Sequence, residues 1–186
     1  AFCAGGDVKG FAAAGDGSGS SAPTTVEQRA QALRPGFEVS RMLHEMPKPT
    51  LAAIPGAAAG AGCSLALACD LRIAVDSAKI TTAFSKVGLS GDYGMSYFLP
   101  LLVGHTKARE LMFTAQVITG EQALALGLIN KSVTVEEFPN VVNTMAAQLA
   151  ALPTVALGYM KKNLNASNTQ SLSQILDSEA MSMARC

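Results

Sequence analysis

The 186-residue sequence has no tryptophan and only two histidines, and aromatic residues make up 5% of it. Charge is scarce and balanced: 14 Lys and Arg stand against 14 Asp and Glu, and charged residues are 15% of the chain. Phosphate binding through a broad field needs clustered cations, and no basic run is present, so no nucleic-acid partner is expected. His44 and His105 are isolated, and Cys3, Cys63, Cys69 and Cys186 form no CxxC pair. A zinc site needs ligands grouped at short spacings, so no metal is expected. The thiols read as reduced and structural, in a cytoplasmic protein. Long hydrophobic runs are also lacking. The apolar stretch 51–69 is mostly Ala and Gly and is interrupted by Pro55–Gly56, which argues against a transmembrane segment or a membrane partner. Residues 1–9 have neither a basic start nor a long apolar core, so no signal peptide is expected. The chain opens on strand-like residues and ends at Arg185–Cys186 without a helix stop, so it reads as a fragment of a longer protein.

What is present is an apolar fraction of 49%, enough for one folded core in a chain of this length. Two segments share one pattern. AFCAGGDVK (1–9) and KPTLAAIPGAAAGAGCSLALACD (48–70) each run from a short apolar stretch through small residues into a helix start. Such a turn exposes backbone N–H groups with no bulk in the way. Two of them facing one pocket would hold an oxyanion, which points to chemistry on a carbonyl.

The remaining elements follow from periodicity and punctuation. Residues 10–35 are rich in Gly, Ala and Ser; they read as a loop, either a lid or a surface excursion, with a helical turn near 26–33. Phe37, Met42, Leu43 and Met46 give a rough helical period closed by Pro47. Strands are expected at 50–54, 71–75, 78–83 and 130–133, and a helix over 63–69. GLSGDYG (88–94) is a turn-rich loop. Helices are expected at 95–102, 106–114, 120–127, 135–152, 153–164 and 171–183, with Pro153 in the first turn of its helix. Strands interleaved with helices, then helices alone, imply an α/β fold with a helical C-terminal part.

Four segments in order, AFCAGGDVK, KPTLAAIPGAAAGAGCSLALACDLRIA, AKITTAFSKVGLSGDYGMSYFLPLLVG and GEQALALGLINKSV, resemble the crotonase superfamily, the enoyl-CoA hydratase/isomerase family. The resemblance implies a crotonase-like spiral of ββα units over 1–133 and a helical C-terminal region over 134–186, lacking the N-terminal strands and the last helix. It implies a homotrimer or dimer of trimers acting on acyl-CoA, with no cofactor beyond the coenzyme A thioester that is itself the substrate. Motif for motif, the two oxyanion donors fall on the N–H groups of Gly6 and Ala61. Ala4, Gly60, Ser64, Phe84 and Tyr93 fall where substrate is bound. Lys9 falls near the CoA phosphates or in solvent. Lys161 and Lys162 either meet CoA or form a solvated helix face, and Asp7 caps a helix that starts after Gly6.

The chain departs from the hydratase pattern at two positions. Hydratases of the family place and activate water with two glutamates; the matching residues here are Ser64 and Phe84, and neither is a carboxylate. Several isomerases of the family instead carry an aspartate in the loop that here reads Gly88-Leu89-Ser90-Gly91-Asp92. Asp92 among Phe84, Tyr93, Met95 and Phe98 would have a raised pKa and shuttle a proton; the plainer alternative is a turn aspartate bonding its own backbone. Tyr93 and Ser96 lie near it in sequence. A dehalogenase branch uses an aspartate in a similar loop, with a histidine where this chain has Phe37 and a tryptophan that this chain lacks. The expectation is therefore an enoyl-CoA isomerase with Asp92 as acid and base. A hydratase with another water-positioning residue and a non-catalytic acyl-CoA binder are the alternatives.

Overall fold

The computed structural model describes residues 1–7 and 25–186. Lys9, the helix expected after Asp7 and most of the expected lid lie outside the described residues. The chain resumes in helix α1 (Val26–Leu33), closed at its start by a capping box in which Thr25 accepts from the Gln28 N–H and the Gln28 side chain accepts from the Thr25 N–H. The helix has no buried residue. A 3₁₀ turn (Arg34–Phe37) leads into α2 (Glu38–Glu45). Phe37 at its N-cap and Ser40, Leu43 and His44 along it face inward. Met42, expected on that face, is 60% exposed, because it lies on the opposite side of the helix from Ser40.

The core is two thin parallel sheets between which the chain alternates. β1 (Leu51–Ile54), β3 (Leu71–Val75) and β5 (Lys131–Val133) form one sheet in the order β1-β3-β5, with Leu51 opposite Leu71 and Ile73 opposite Lys131. Four of the five β3 residues are buried, as expected for a parallel strand covered on both faces. β2 (Ala58–Ala59) pairs in parallel with β4 (Ile80–Thr81); Cys3 bridges to Ala58 on one side and Ile118 to Ile80 on the other. After β1 and β2 comes α3 (Ala61–Ala68), and after β3 and β4 come α4 (Met95–Thr114) and α5 (Gly120–Ala125). Two strands and then a helix, twice over, is a ββα spiral.

Strand 78–83 was expected to be longer than β4. It stops because the hydroxyls of Thr81 and Thr82 turn to the Ala115 and Leu111 carbonyls, at 3.1 and 2.9 Å, and Ala83 enters the left-handed region at φ 58°. α4 is broken at Gly104 (φ 73°, ψ 161°), so the two helices expected at 95–102 and 106–114 are both present, joined end to end. α6 (Phe138–Ala150), α7 (Thr154–Ala166) and α8 (Leu172–Met183) follow. Pro153 sits at the N-cap of α7 rather than in its first turn. Thr119 and Ser171 start α5 and α8 with further capping boxes.

α7 is joined to the spiral by polar bonds from one side chain. Lys161 is 7% exposed and donates to the Leu43 carbonyl (2.7 Å), the Lys48 carbonyl (3.2 Å) and Asp70 Oδ2 (2.8 Å). The same carboxylate oxygen accepts from the Thr50 N–H and hydroxyl. Gly158 makes the approach possible, since a Cβ there would lie 2.9 Å from the Pro47 carbonyl oxygen. Lys161→Met is expected to destabilise the fold by on the order of 2 kcal/mol, because it takes the cation from a partly buried carboxylate and leaves it only its bonds from Thr50. Urea unfolding checks this, and Asp70→Asn added to Lys161→Met should recover part of the loss.

Candidate active site

The site is built from small residues that let two backbone segments touch. Gly62 in the first turn of α3 packs on the 1–7 segment so closely that a Cβ there would lie 2.2 Å from the Cys3 carbonyl oxygen. Gly5 adopts φ 90°, and a Cβ on it would lie 2.8 Å from the Ala59 carbonyl oxygen and 3.7 Å from the Ala61 nitrogen. Both conditions exclude any side chain. The N–H groups leading into α3 are taken in turn: Ala58 donates to Lys79, Ala59 to Cys3 and Gly60 to Thr81. Gly60 then takes φ 53° and ψ −122°, and the chain leaves the sheet. Ala61 is the first helical residue and has no acceptor four residues back. Among the described residues neither its N–H nor that of Gly6 donates a hydrogen bond. Gly6 and Ala4 are exposed, and Ala61 is half-buried. Open donors at a helix start, where the helix dipole is positive, suit a developing negative charge.

The loop before α4 brings Asp92 to α3. Gly91 (φ 111°), Tyr93 (φ 46°) and Gly94 (φ 84°) all have left-handed backbone, so the loop coils tightly around Asp92. The Asp92 carbonyl accepts from the Met95 N–H at 3.0 Å, which ties the loop to the start of α4. Its Oδ1 is buried with no hydrogen-bond partner. Burial pushes the Asp92 carboxyl above its ordinary value of 3.8, and the neighbouring Ser64 hydroxyl partly offsets that. Ser64 is wholly buried, and its hydroxyl donates to the Gly60 carbonyl at 3.3 Å. Phe84 is 5% exposed, and its ring lies 3.8 Å from where a Gly60 Cβ would stand. The Tyr93 ring meets Phe37 edge to face at 4.9 Å. The structure therefore gathers Gly60, Ala61, Ser64, Phe84 and Asp92 around the first turn of α3. Ser96 is exposed on α4.

Other candidates fall elsewhere. Lys161 is neither solvated nor available to a ligand, since all three of its bonds hold α7 in place. Lys162 is exposed and borders a groove of about 450 Å³ with Lys48 and Tyr159. His44 packs edge to face on Tyr97 and Phe98, and burial lowers its pKa; it serves packing. A cleft of about 520 Å³ lies beside it, lined by Phe37, Ser40, His44, Gly94 and Phe98, but not by Ala61, Ser64 or Asp92. Burial pushes the Cys63 thiol up to about 12, which leaves it unreactive. Among the described residues no three His, Cys, Asp or Glu side chains are grouped to hold a metal, and no single helix is long and apolar enough to cross a membrane.

Sequence reasoning missed Arg72. It is 5% exposed, and its guanidinium donates to the carbonyls of Leu128 (2.8 Å) and Cys69, so a cation closes the C-terminal end of α3. One arginine within the apolar strand LRIAV was the available signal.

The family model described as enoyl-CoA hydratase/isomerase matches residues 1–185. The chain is 40% identical over 139 residues to 1,2-epoxyphenylacetyl-CoA isomerase of Escherichia coli (strain K12), covering 75% of this chain and 53% of that protein. It is 33% identical over 145 residues to 4-chlorobenzoyl coenzyme A dehalogenase-1 of an Arthrobacter species, covering 78% and 52%. The chain thus spans about half the length of these curated relatives. A crystal structure from Thermobifida fusca YX, solved in complex with CoA, superimposes with a TM-score of 0.83 at 31% identity, covering 88% of this chain and 63% of that one. With the ββα spiral and the small-residue turn at the head of α3, these matches place the chain in the enoyl-CoA hydratase/isomerase family, the crotonase superfamily.

Proposed function

We propose that the chain is part of an acyl-CoA enzyme that shifts a carbon–carbon double bond by moving one proton. The Asp92 carboxylate takes a proton from a carbon beside the unsaturated thioester system. The C–H electron pair passes to the thioester oxygen, and the N–H groups of Gly6 and Ala61 stabilise the resulting enolate. Protonated Asp92 returns the proton to the other end of the system. One base suffices, electrons and protons balance, and no separate cofactor takes part. The observation that carries the reading is Asp92 itself: a carboxyl with a buried, unpartnered oxygen and raised proton affinity, held by a strained loop against the helix whose first N–H is open.

The hydratase alternative lacks support from Ser64 and Phe84, which stand where the family's two water-positioning glutamates would be. The relationship to a 4-chlorobenzoyl-CoA dehalogenase raises a nucleophilic role for the same aspartate. Against it, Phe37 stands where that branch has histidine, and its ring is packed on Tyr93. In the proposed complex Ala4, Gly60, Ser64, Phe84 and Tyr93 surround the thioester and acyl group, and Lys9 lies toward the CoA phosphates. A homotrimer or dimer of trimers in the cytoplasm is part of the same proposal, and exposed apolar side chains on α7 and α8, among them Val155, Met160, Leu164, Leu172 and Leu176, offer surface for self-association.

Asp92→Asn in the full-length protein should keep acyl-CoA binding and lose isomerisation of a 3-enoyl-CoA by roughly 10²- to 10⁴-fold. Unchanged isomerisation would remove Asp92 from the mechanism. Rapid hydration of a 2-enoyl-CoA by a wild type that never shifts the double bond would put the hydratase reading in its place. Ala61→Pro deletes one donor and should cost roughly 3–4 kcal/mol of barrier, read as kcat with circular dichroism as the folding control.

The same aspartate predicts a pH effect on stability. Its folded pKa lies above the unfolded one, so its favourable contribution is complete below the unfolded value and is lost as pH rises through the folded value. Asp92→Asn carries no charge to bury. Its melting temperature should exceed that of wild type at pH 7, and the gap should close as pH falls toward about 4.

A further inference from the structure

The cleft of about 520 Å³ beside α2 starts where the Asp92 loop ends. Gly94 lines it, and two residues of chain span at most about 7 Å, so the cleft comes within that reach of the Asp92 backbone. Phe37, whose ring packs on Tyr93, forms the same end. From there the cleft follows α2 past Ser40 to His44, about 10 Å along the helix axis, with Phe98 and Asn165 also lining it.

Three polar groups of this lining have spare bonding capacity. Ser40 is 4% exposed, and its Oγ is buried with no hydrogen-bond partner. A bare buried hydroxyl is uncommon in a folded chain and asks for a partner. His44 is one turn further on, on the same face. Besides its packing on Tyr97 and Phe98, neither of its ring nitrogens is hydrogen-bonded among the described residues. Burial lowers its pKa, so near neutral pH the imidazole offers one donor and one acceptor. Asn165 Nδ2 donates to the His44 carbonyl at 2.8 Å, which fixes the orientation of the amide and leaves Oδ1 as an unbonded acceptor. Charge at the rim is already paired: Arg41 bonds Glu38 and Glu45, and Arg34 bonds Glu38.

Resting on the proposed acyl-CoA activity, we propose that this cleft receives the distal part of the acyl group and selects substrates that carry a hydroxyl there, with Ser40, His44 and Asn165 as the specificity-determining residues. The chemistry of the lining chooses the group. Asn165 Oδ1 can only accept, so it requires a donor, whereas Ser40 and His44 can each donate to an oxygen. A hydroxyl meets both conditions. A ketone has no proton to give Asn165, and a carboxylate finds no free cation at the rim. A plain hydrocarbon tail leaves all three polar groups unmatched. The rings of Phe37 and Phe98 take the methylene chain that leads to the hydroxyl.

The test measures binding of saturated acyl-CoAs, which have no double bond to move, by calorimetry on the full-length protein. Each carries a hydroxyl at one carbon beyond the fourth. Each is compared with the unsubstituted, keto and terminal-carboxyl compounds of the same length. At one chain position the hydroxyl compound should bind roughly 10-fold more tightly than the unsubstituted one. Ser40→Ala should cut that ratio about 5-fold, and His44→Phe, which keeps an aromatic ring against Tyr97 and Phe98, should cut it as well. Without ligand, Ser40→Ala should melt no lower than wild type, because the hydroxyl it removes has no partner. A hydroxyl preference absent at every position, or a ratio unchanged in both variants, overturns the inference. Tighter binding of the keto or carboxyl compound overturns it too. So does a lower melting temperature of Ser40→Ala, which would make the hydroxyl part of the fold. A protein that isomerises a 3-enoyl-CoA but shows no hydroxyl preference keeps the proposed function and loses this inference. One that shows the preference and its loss in Ser40→Ala, yet isomerises nothing, does the reverse.

Discussion

The contact between Gly62 and Cys3 is the constraint on which the rest depends. It is a backbone-to-backbone approach that leaves no room for one methyl group, because a Cβ at residue 62 would lie 2.2 Å from the Cys3 oxygen and 2.6 Å from its Cβ. Gly5 repeats the condition against Ala59 from the other side. Two segments that begin 47 residues apart (1 and 48) are thereby pressed together just past the Cys3–Ala58 bridge, where the N–H groups of Gly6 and Ala61 have no sheet partners. Packing alone would not yield open donors, since a folded chain pairs nearly all of its buried backbone. Here they persist because the small residues bring the turns together before either can bond back on itself.

A donor is useful only if it stays put, and the eight residues of α3 are held at both ends. At the start, Gly60 in positive φ fixes the exit from β2, and Ser64 grips its carbonyl twice. At the finish, Arg72 donates to the Leu67 and Cys69 carbonyls, and Asp70 is tied to Thr50 and Lys161. Those last bonds reach α2 and α7, so helices distant from the chemistry still limit how far α3 can shift. Preorganisation of this kind gives backbone donors their electrostatic advantage over water.

Much of this was legible from residue order. Gly60, Ala61 and Gly62 announce a turn into a helix, β3 was read to the residue, and the loop around Asp92 was marked by Gly88, Gly91 and Gly94. The parts that were not legible depend on long-range partners. Lys161 looks like any helix lysine until Asp70, 91 residues away, is brought under it. Met42 fits a loose apolar period, but α2 turns a face led by Phe37 and Ser40 inward instead. β4 has β-branched residues enough for a longer strand, yet Thr81 and Thr82 spend their hydroxyls on α4, a choice local propensity does not contain. The small-residue turn at the head of α3 was readable because it is made by what its residues lack, whereas these features are made by what distant residues supply.

Asp92 shows the opposing demands on the site most directly. An isolated domain would gain by giving Oδ1 a donor or by replacing the residue with asparagine, since burial acts against its charge and the left-handed backbone at Tyr93 adds strain. A fully bonded carboxylate, however, would be a weak base, because every bond made to the ionised form lowers its appetite for a proton. The arrangement found here lies between these limits, with one neighbouring hydroxyl and one bare oxygen. It sacrifices some stability and keeps the carboxyl basic. That compromise suits the role proposed for Asp92, a group that accepts a proton from carbon and gives it back.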